Sequence, residues 1–244
     1  MGLAVAKAAA PYLPAQTAPY WVTGITLGAM LPDIDMYPTA LAFLAGKHDW
    51  VYLIHRSATH SLLLIAVLAL AGALFGLRSP TGQWTCFGLS LGVATHVLLD
   101  AFFWFAPLDL FWPLSHLPPG HPLLPILNLW SGAVIPSLWL NLRDACEFAA
   151  SALFLLALRR ISVRAGKPAP EARGLKRWEI AAWIAFAVGI VGAFLFVAKP
   201  GRQVILVEAP LLLAFMPYSW LAAYREREAI AVWCQGHSVL GTRH

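Results

Sequence analysis

The sequence predicts an all-α fold, a polytopic transmembrane helical bundle of about six spans with a proline-rich re-entrant or interfacial region. Two observations predict it. Only 12% of the 244 residues are charged while 59% are hydrophobic, and the mean hydropathy is +0.68; a soluble domain carries roughly 25% charged residues. Such a chain cannot cover its own surface with polar groups, and a bilayer is the solvent that removes the need. The second observation is a recurrence of apolar stretches close to the ~20 residues a span requires.

These stretches are Tyr20–Ala45, Ser61–Leu77, Trp84–Phe105, Ala145–Leu158, Trp178–Ala198 and Val204–Tyr224. Trp84, Trp178 and Trp220 stand near their ends, as interfacial anchors do. Between the third and fourth, Ala106–Leu142 is apolar but broken by Pro107, Pro113, Pro118, Pro119, Pro122, Pro125 and Pro136. A straight spanning helix does not tolerate that density, so the region reads as a loop with short interfacial or re-entrant pieces covered by protein. A seventh span at His121–Leu140 is the alternative. No repeat or linker divides the chain, which reads as a single membrane domain, 1–244: a metal-site core at 20–121, additional spans at 143–224 and a tail at 225–244.

The net charge of +5 is uneven. Arg159, Arg160, Arg164, Lys167, Arg173, Lys176 and Arg177 crowd one stretch between two apolar runs. Under the positive-inside rule, Ile161–Arg177 is a cytoplasmic loop, and counting spans from it puts both termini in the cytoplasm of a bacterial-type inner membrane. No groove-reading element accompanies the charge, so nucleic acid is not an expected partner; membrane lipid or a small-molecule substrate is. Cys86, Cys146 and Cys234 lack CxxC spacing and suggest neither a disulfide framework nor a thiolate site. Pro11, Pro14 and Pro19 interrupt any apolar segment a cleaved signal peptide would need.

The chemistry concentrates upstream. Six of the eight histidines lie between His48 and His121, and all the aspartates lie between Asp33 and Asp144. A centrally placed charge costs a span at least ~2.5–3.5 kcal/mol, so their accumulation needs a reason. In Leu31-Pro32-Asp33-Ile34-Asp35, Pro32 breaks helical bonding and the i, i+2 carboxylates can converge on a neutralising cation; capping aspartates at a helix end are the bland alternative. His55-Arg56-Ser57-Ala58-Thr59-His60-Ser61 supplies two imidazoles, a guanidinium and three hydroxyls. His96 and Asp100 are spaced i, i+4, on one face of a helix, where they can chelate one ion or pair with each other. Gly88 and Gly92, one and two turns earlier, would let a neighbouring helix approach closely.

Asp33, Asp35, His55, His60, His96 and Asp100 therefore form a mixed nitrogen and oxygen ligand set, suited to a divalent metal such as zinc, manganese or iron. Six candidates exceed one tetrahedral site and would serve two ions a few ångströms apart, an arrangement that activates water for displacement at phosphorus. Asp109, His116 and His121 follow and can complete the site or act as acid and base. Arg56 would stabilise developing anionic charge.

The order Gly28-Ala29-Met30-Leu31-Pro32-Asp33-Ile34-Asp35, His55-Arg56, Thr59-His60-Ser61, His96-Val97-Leu98-Leu99-Asp100 and Trp112-Pro113-Leu114 resembles the YdjM-like family. These are described as LexA-regulated, membrane-bound metal-dependent hydrolases. The resemblance covers about Tyr20 to Ser115 and implies a hydrolase whose metal ligands are those six residues. The His-x-x-x-Asp element is also similar to one in zinc-dependent phospholipases C, although their later His-x-x-x-Glu is missing here. The expected function is metal-dependent hydrolysis of a phosphoester or lipid-linked substrate. A metal- or proton-handling transporter and a metal-stabilised structural membrane protein are the rivals.

Overall fold

A computed structural model describes residues 2–12, 16–103, 107–116, 125–129, 136–167, 169–198 and 209–236. The described residues are mostly helical, with one isolated antiparallel bridge between Leu108 and Leu127. They group into two compact units, Met1–Ala133 with Ala231–His237, and Val134–Ile230 with Ser238–His244.

The first unit holds α1 (Gly2–Ala9), α2 (Ala18–Gly28), α3 (Met36–Leu44), α4 (His48–Ile54), α5 (Leu62–Gly76) and α6 (Pro80–Phe103). Its main packing is α2 on α6 and α5 on α6. Glycine makes the first of these possible. Gly24 and Gly28 on α2 meet Gly88 and Gly92 on α6, so that a Cβ at Gly88 would stand 2.5 Å from the Trp21 carbonyl oxygen. Cβ atoms at Gly28 or Gly92 would run into the Leu89 and Ile25 carbonyls. Small residues one turn apart on both helices let the backbones touch. On the other side of α6, Val93 and Val97 bury against Leu108, with Leu64, Ile65 and Leu68 of α5 packed around them. Ser61 starts α5 by accepting the Leu64 N–H at 3.2 Å.

The second unit pairs α7 (Ser137–Arg164) with α8 (Ala169–Leu195), and α9 (Ala209–Arg225) packs on both. Its core is Phe148, Ala152, Ala182, Ala185 and Phe215. Arg159 donates to Glu179 at 2.7 Å, and Lys167 lies 3.3 Å from Glu226. Within the first unit, which also includes Ala231–His237, the Trp233 carbonyl of the last helix, α10 (Arg227–Gln235), accepts from the Lys7 ammonium at 2.5 Å. Burial pushes the Cys234 thiol of this helix up to about 11, which fits a packing role rather than a reactive one.

The expectation of about six spans is not met. Among the described residues two helices are long and apolar enough to cross a membrane, Pro80–Phe103 and Glu171–Leu195; they realise the third and fifth runs. The first run, Tyr20–Ala45, is cut by the 3₁₀ turn Pro32–Asp35, leaving helices of 11 and 9 residues. The second becomes α5, whose 15 residues reach only ~22 Å at ~1.5 Å each. The fourth lies within α7, but Arg143 and Asp144 before it, Glu147 inside it, and Arg159 and Arg160 after it confine its apolar part. Of the sixth, residues 204–208 lie outside the described residues, and the helix that follows has 17 residues with Pro217 inside. The proline-rich region is non-helical at 107–113 and 125–129, turns once at Leu114–His116, and gives way to α7 at Ser137. Much of the alternative span at His121–Leu140 lies outside the described residues.

Candidate metal centre

Three segments of the first unit converge. The close contact of α2 and α6 puts the end of α2 beside the middle of α6, where the His96 Nδ1 faces the Ala29 carbonyl at 2.9 Å. A carbonyl only accepts, so Nδ1 carries a proton, and in the neutral ring Nε2 holds the lone pair. Past Ala29, Pro32 opens the 3₁₀ turn that carries both aspartates. The turn sends them in different directions. Asp33 faces His96, with Oδ1 3.4 Å from Nε2; Asp35 faces the His55–Ser61 segment.

Asp35 is saturated with donors. Its Oδ1 lies 2.9 Å from the His55 Nδ1, and its Oδ2 accepts the Arg56 N–H at 3.0 Å and the Thr59 hydroxyl at 2.7 Å. The His60 Nδ1 stands 3.3 Å from Asp35 Oδ2 and 3.1 Å from the Thr59 Oγ1. Because Thr59 spends its proton on Asp35, the His60 Nδ1–H donates, and in the neutral ring its Nε2 also holds the lone pair. Arg56 supports this turn in a left-handed conformation, φ 65°, rare for a residue with a side chain. Its carbonyl accepts the Asp109 N–H at 3.1 Å, so the backbone on both sides of Arg56 is tied down.

Both free Nε2 atoms face the same place. The His60 Nε2 is 3.3 Å from Asp100 Oδ2, and the His96 Nε2 is 3.6 Å from Asp100 Oδ1. Both are buried and neither has a hydrogen-bond partner among the described residues. Two lone pairs and two carboxylates pointed at one another repel unless positive charge stands between them. Atoms ~2.1 Å from a tetrahedral ion are ~3.4 Å apart, close to the 3.3–3.6 Å separations found here. Asp33, His60 and His96 each offer a ligand atom, all within 4.8 Å of one another, which makes a group able to hold a metal ion. Asp100 adjoins it. The residues present therefore fit a divalent cation.

The predicted site residues divide accordingly. Asp33, His60, His96 and Asp100 come together as expected. Asp35 and His55 lie beside this group and pair with each other, with the other oxygen of Asp35 on His60. Arg56 is buried with Nη2 3.8 Å from Asp100 Oδ2. Asp109 and His116 form a pair of their own, 2.8 Å from Oδ2 to Nε2, with the Ser115 hydroxyl on the other oxygen. His121 lies outside the described residues. The Ala29 carbonyl that sets the His96 tautomer leaves no side-chain signal. Gly24, four residues before Gly28 and mirroring Gly88 and Gly92, was the available sign that the helix bearing His96 is held against that carbonyl.

No curated protein and no solved structure matches the chain. The profile of the family described as YdjM inner membrane protein matches residues 1–169, more than half the chain and including every residue of the cluster. The motif order, a helix long and apolar enough to cross a membrane that carries His96 and Asp100, and that match agree, and the chain belongs to the YdjM inner membrane protein family.

Proposed function

We propose that this protein is a membrane-bound, metal-dependent hydrolase acting on a phosphoester or lipid-linked substrate. One observation carries the reading: the buried Nε2 atoms of His60 and His96, without hydrogen-bond partners among the described residues, face the carboxylates of Asp33 and Asp100. Two imidazoles and a carboxylate leave coordination positions open, which suits catalysis better than a closed structural site. Zinc is the first candidate, with manganese and iron next. A cation held there would supply Lewis acidity and a water nucleophile at neutral pH.

The chain's own residues take the remaining roles. Asp33, 39% exposed at its side chain against 0% for His60, marks the side from which substrate enters. Asp35 and the Ala29 carbonyl hold the two rings in the tautomer that presents Nε2. Arg56, next to Asp100, is placed to bind anionic charge that grows in the transition state. The Asp109–His116 pair, tied to Arg56 through its backbone, is the acid–base candidate. The basic stretch faces the cytoplasm in this reading, by the positive-inside rule.

The test is metal content and turnover of the purified full chain in detergent. We expect about one divalent metal per chain, removable by chelation, with hydrolysis of a bis-aryl phosphodiester or a phospholipid that disappears with it and returns on readdition. A chain that retains no metal, its two rings charged by protons instead, would sink the proposal. Metal without turnover, but with ion flux in liposomes, would favour a transporter.

A further inference from the structure

The second unit has its own concentration of charge, unrelated to the histidines. Arg159 and Val163 stand at i, i+4 on α7 and so share a face, and Lys167 lies just past its end. Opposite them, Ala172, Arg173 and Lys176 lie on the first turns of α8. Together the six line a groove of about 340 Å³. Its small apolar members are Val163 and Ala172, and its other four are cations.

Nearby carboxylates do not cancel this charge. Glu179 takes Arg159, and Glu226 takes Lys167, which also donates to the Arg225 carbonyl at 3.1 Å. Glu171 reaches Lys167 only at 4.0 Å. These pairs hold two cations in fixed positions. Arg173 and Lys176 have no carboxylate partner among the described residues. Arg160, Arg164 and Arg177 raise the local potential further.

The groove's position is informative. The candidate span Glu171–Leu195 begins at its edge. Just beyond, Trp178 stacks on Tyr218 at 4.4 Å, a pair with the amphipathic character of a membrane-interface belt. Basic pockets between helices at the end of a span suit the phosphates of anionic lipids, with an apolar floor for the part of the lipid that follows. Guanidinium and ammonium groups on two sides can both reach the oxygens of one phosphate.

We propose that this groove between α7 and α8 binds the phosphate of an anionic phospholipid headgroup. It does not depend on the hydrolase reading, because none of its residues belongs to the His–Asp cluster. The full chain, purified in neutral detergent, is titrated with phosphatidylglycerol and with phosphatidylcholine, and bound lipid is counted by native mass spectrometry. Phosphatidylglycerol should bind at least about tenfold more tightly than phosphatidylcholine, from ~1 kcal/mol per basic side chain. That preference should vanish in Arg173→Gln/Lys176→Gln, persist in the charge-keeping Arg173→Lys/Lys176→Arg, and persist in Arg78→Gln, which removes an exposed cation elsewhere. Equal binding of the two lipids, survival of the preference in the double glutamine variant, or equal loss in Arg78→Gln would each overturn the site. Displacement of the lipid by equimolar inorganic phosphate would overturn the lipid assignment and leave a free-phosphate site.

Discussion

The two units draw on the same apolar composition but treat their charged residues in opposite ways. In the second, acids meet bases: Arg159 with Glu179 and Lys167 with Glu226. Such pairs satisfy themselves and leave nothing behind except surplus basic charge in the groove. In the first, acids meet imidazoles whose free lone pairs face more acid. An ordinary ion pair resolves the cost of its own burial, whereas the His60–Asp100–His96–Asp33 arrangement is incomplete without a cation. Burial of charge is therefore not by itself a functional sign. What distinguishes the first unit is which atoms are left over.

That contrast can be broken most decisively at the imidazoles. His96→Ala or His60→Ala should abolish stoichiometric metal in the purified protein, measured by elemental analysis, while Arg159→Ala should leave it unchanged. Equal metal content in all three variants would erase the difference between the units.

Asp35→Asn should have the next largest effect. Residues that orient a metal-bound histidine typically contribute 10–100-fold to metal affinity, so a competition titration with a coloured chelator should show a loss in that range. If Asp35 were itself a ligand, the variant would fall with the alanine variants. This measurement therefore sharpens the division between residues that hold the ion and residues that hold the holders.

A third comparison concerns packing. Gly92→Ala places a methyl against the Ile25 carbonyl, and overpacking of this kind costs typically 1–3 kcal/mol. Gly174→Ala in the second unit meets only the Tyr218 hydroxyl at 3.7 Å, an ordinary contact. Thermal melts in detergent should separate the two, and metal affinity should drop only in the first, since it displaces His96 from Ala29. The smallest effect belongs to Glu179→Gln. It removes one partly buried ion pair with Arg159, worth about 1 kcal/mol, and should shift the melting point slightly without touching metal content.

Much of the site was legible in the sequence because its cost is visible there. Asp33, His60, His96 and Asp100 interrupt or flank apolar runs where polarity is expensive, and the i, i+4 spacing of the last two needs only a helix to bring them together. The roles of Asp35 and His55 were not legible. At i, i+2 the two aspartates could have turned to one ion or to opposite sides, and only the 3₁₀ turn after Pro32 chose the second. The number of spans was overestimated for a related reason. Apolar composition identifies segments that avoid water, but whether a run is one helix or two short ones depends on where its backbone bonding is interrupted, as at Ala29–Asp35.

The amino-acid sequence alone determined that this protein is helical, that it needs an apolar solvent, and that its metal-capable side chains lie in the first half of the chain. These follow from composition and spacing, which act locally. The tertiary structure decided which nitrogen of each imidazole is turned to the protein scaffold and which to the carboxylates of the cluster. That choice rests on a carbonyl at Ala29 and a saturated carboxylate at Asp35, partners 67 and 25 residues away in the chain. Contacts over such separations exist only once the glycine faces of α2 and α6 have met.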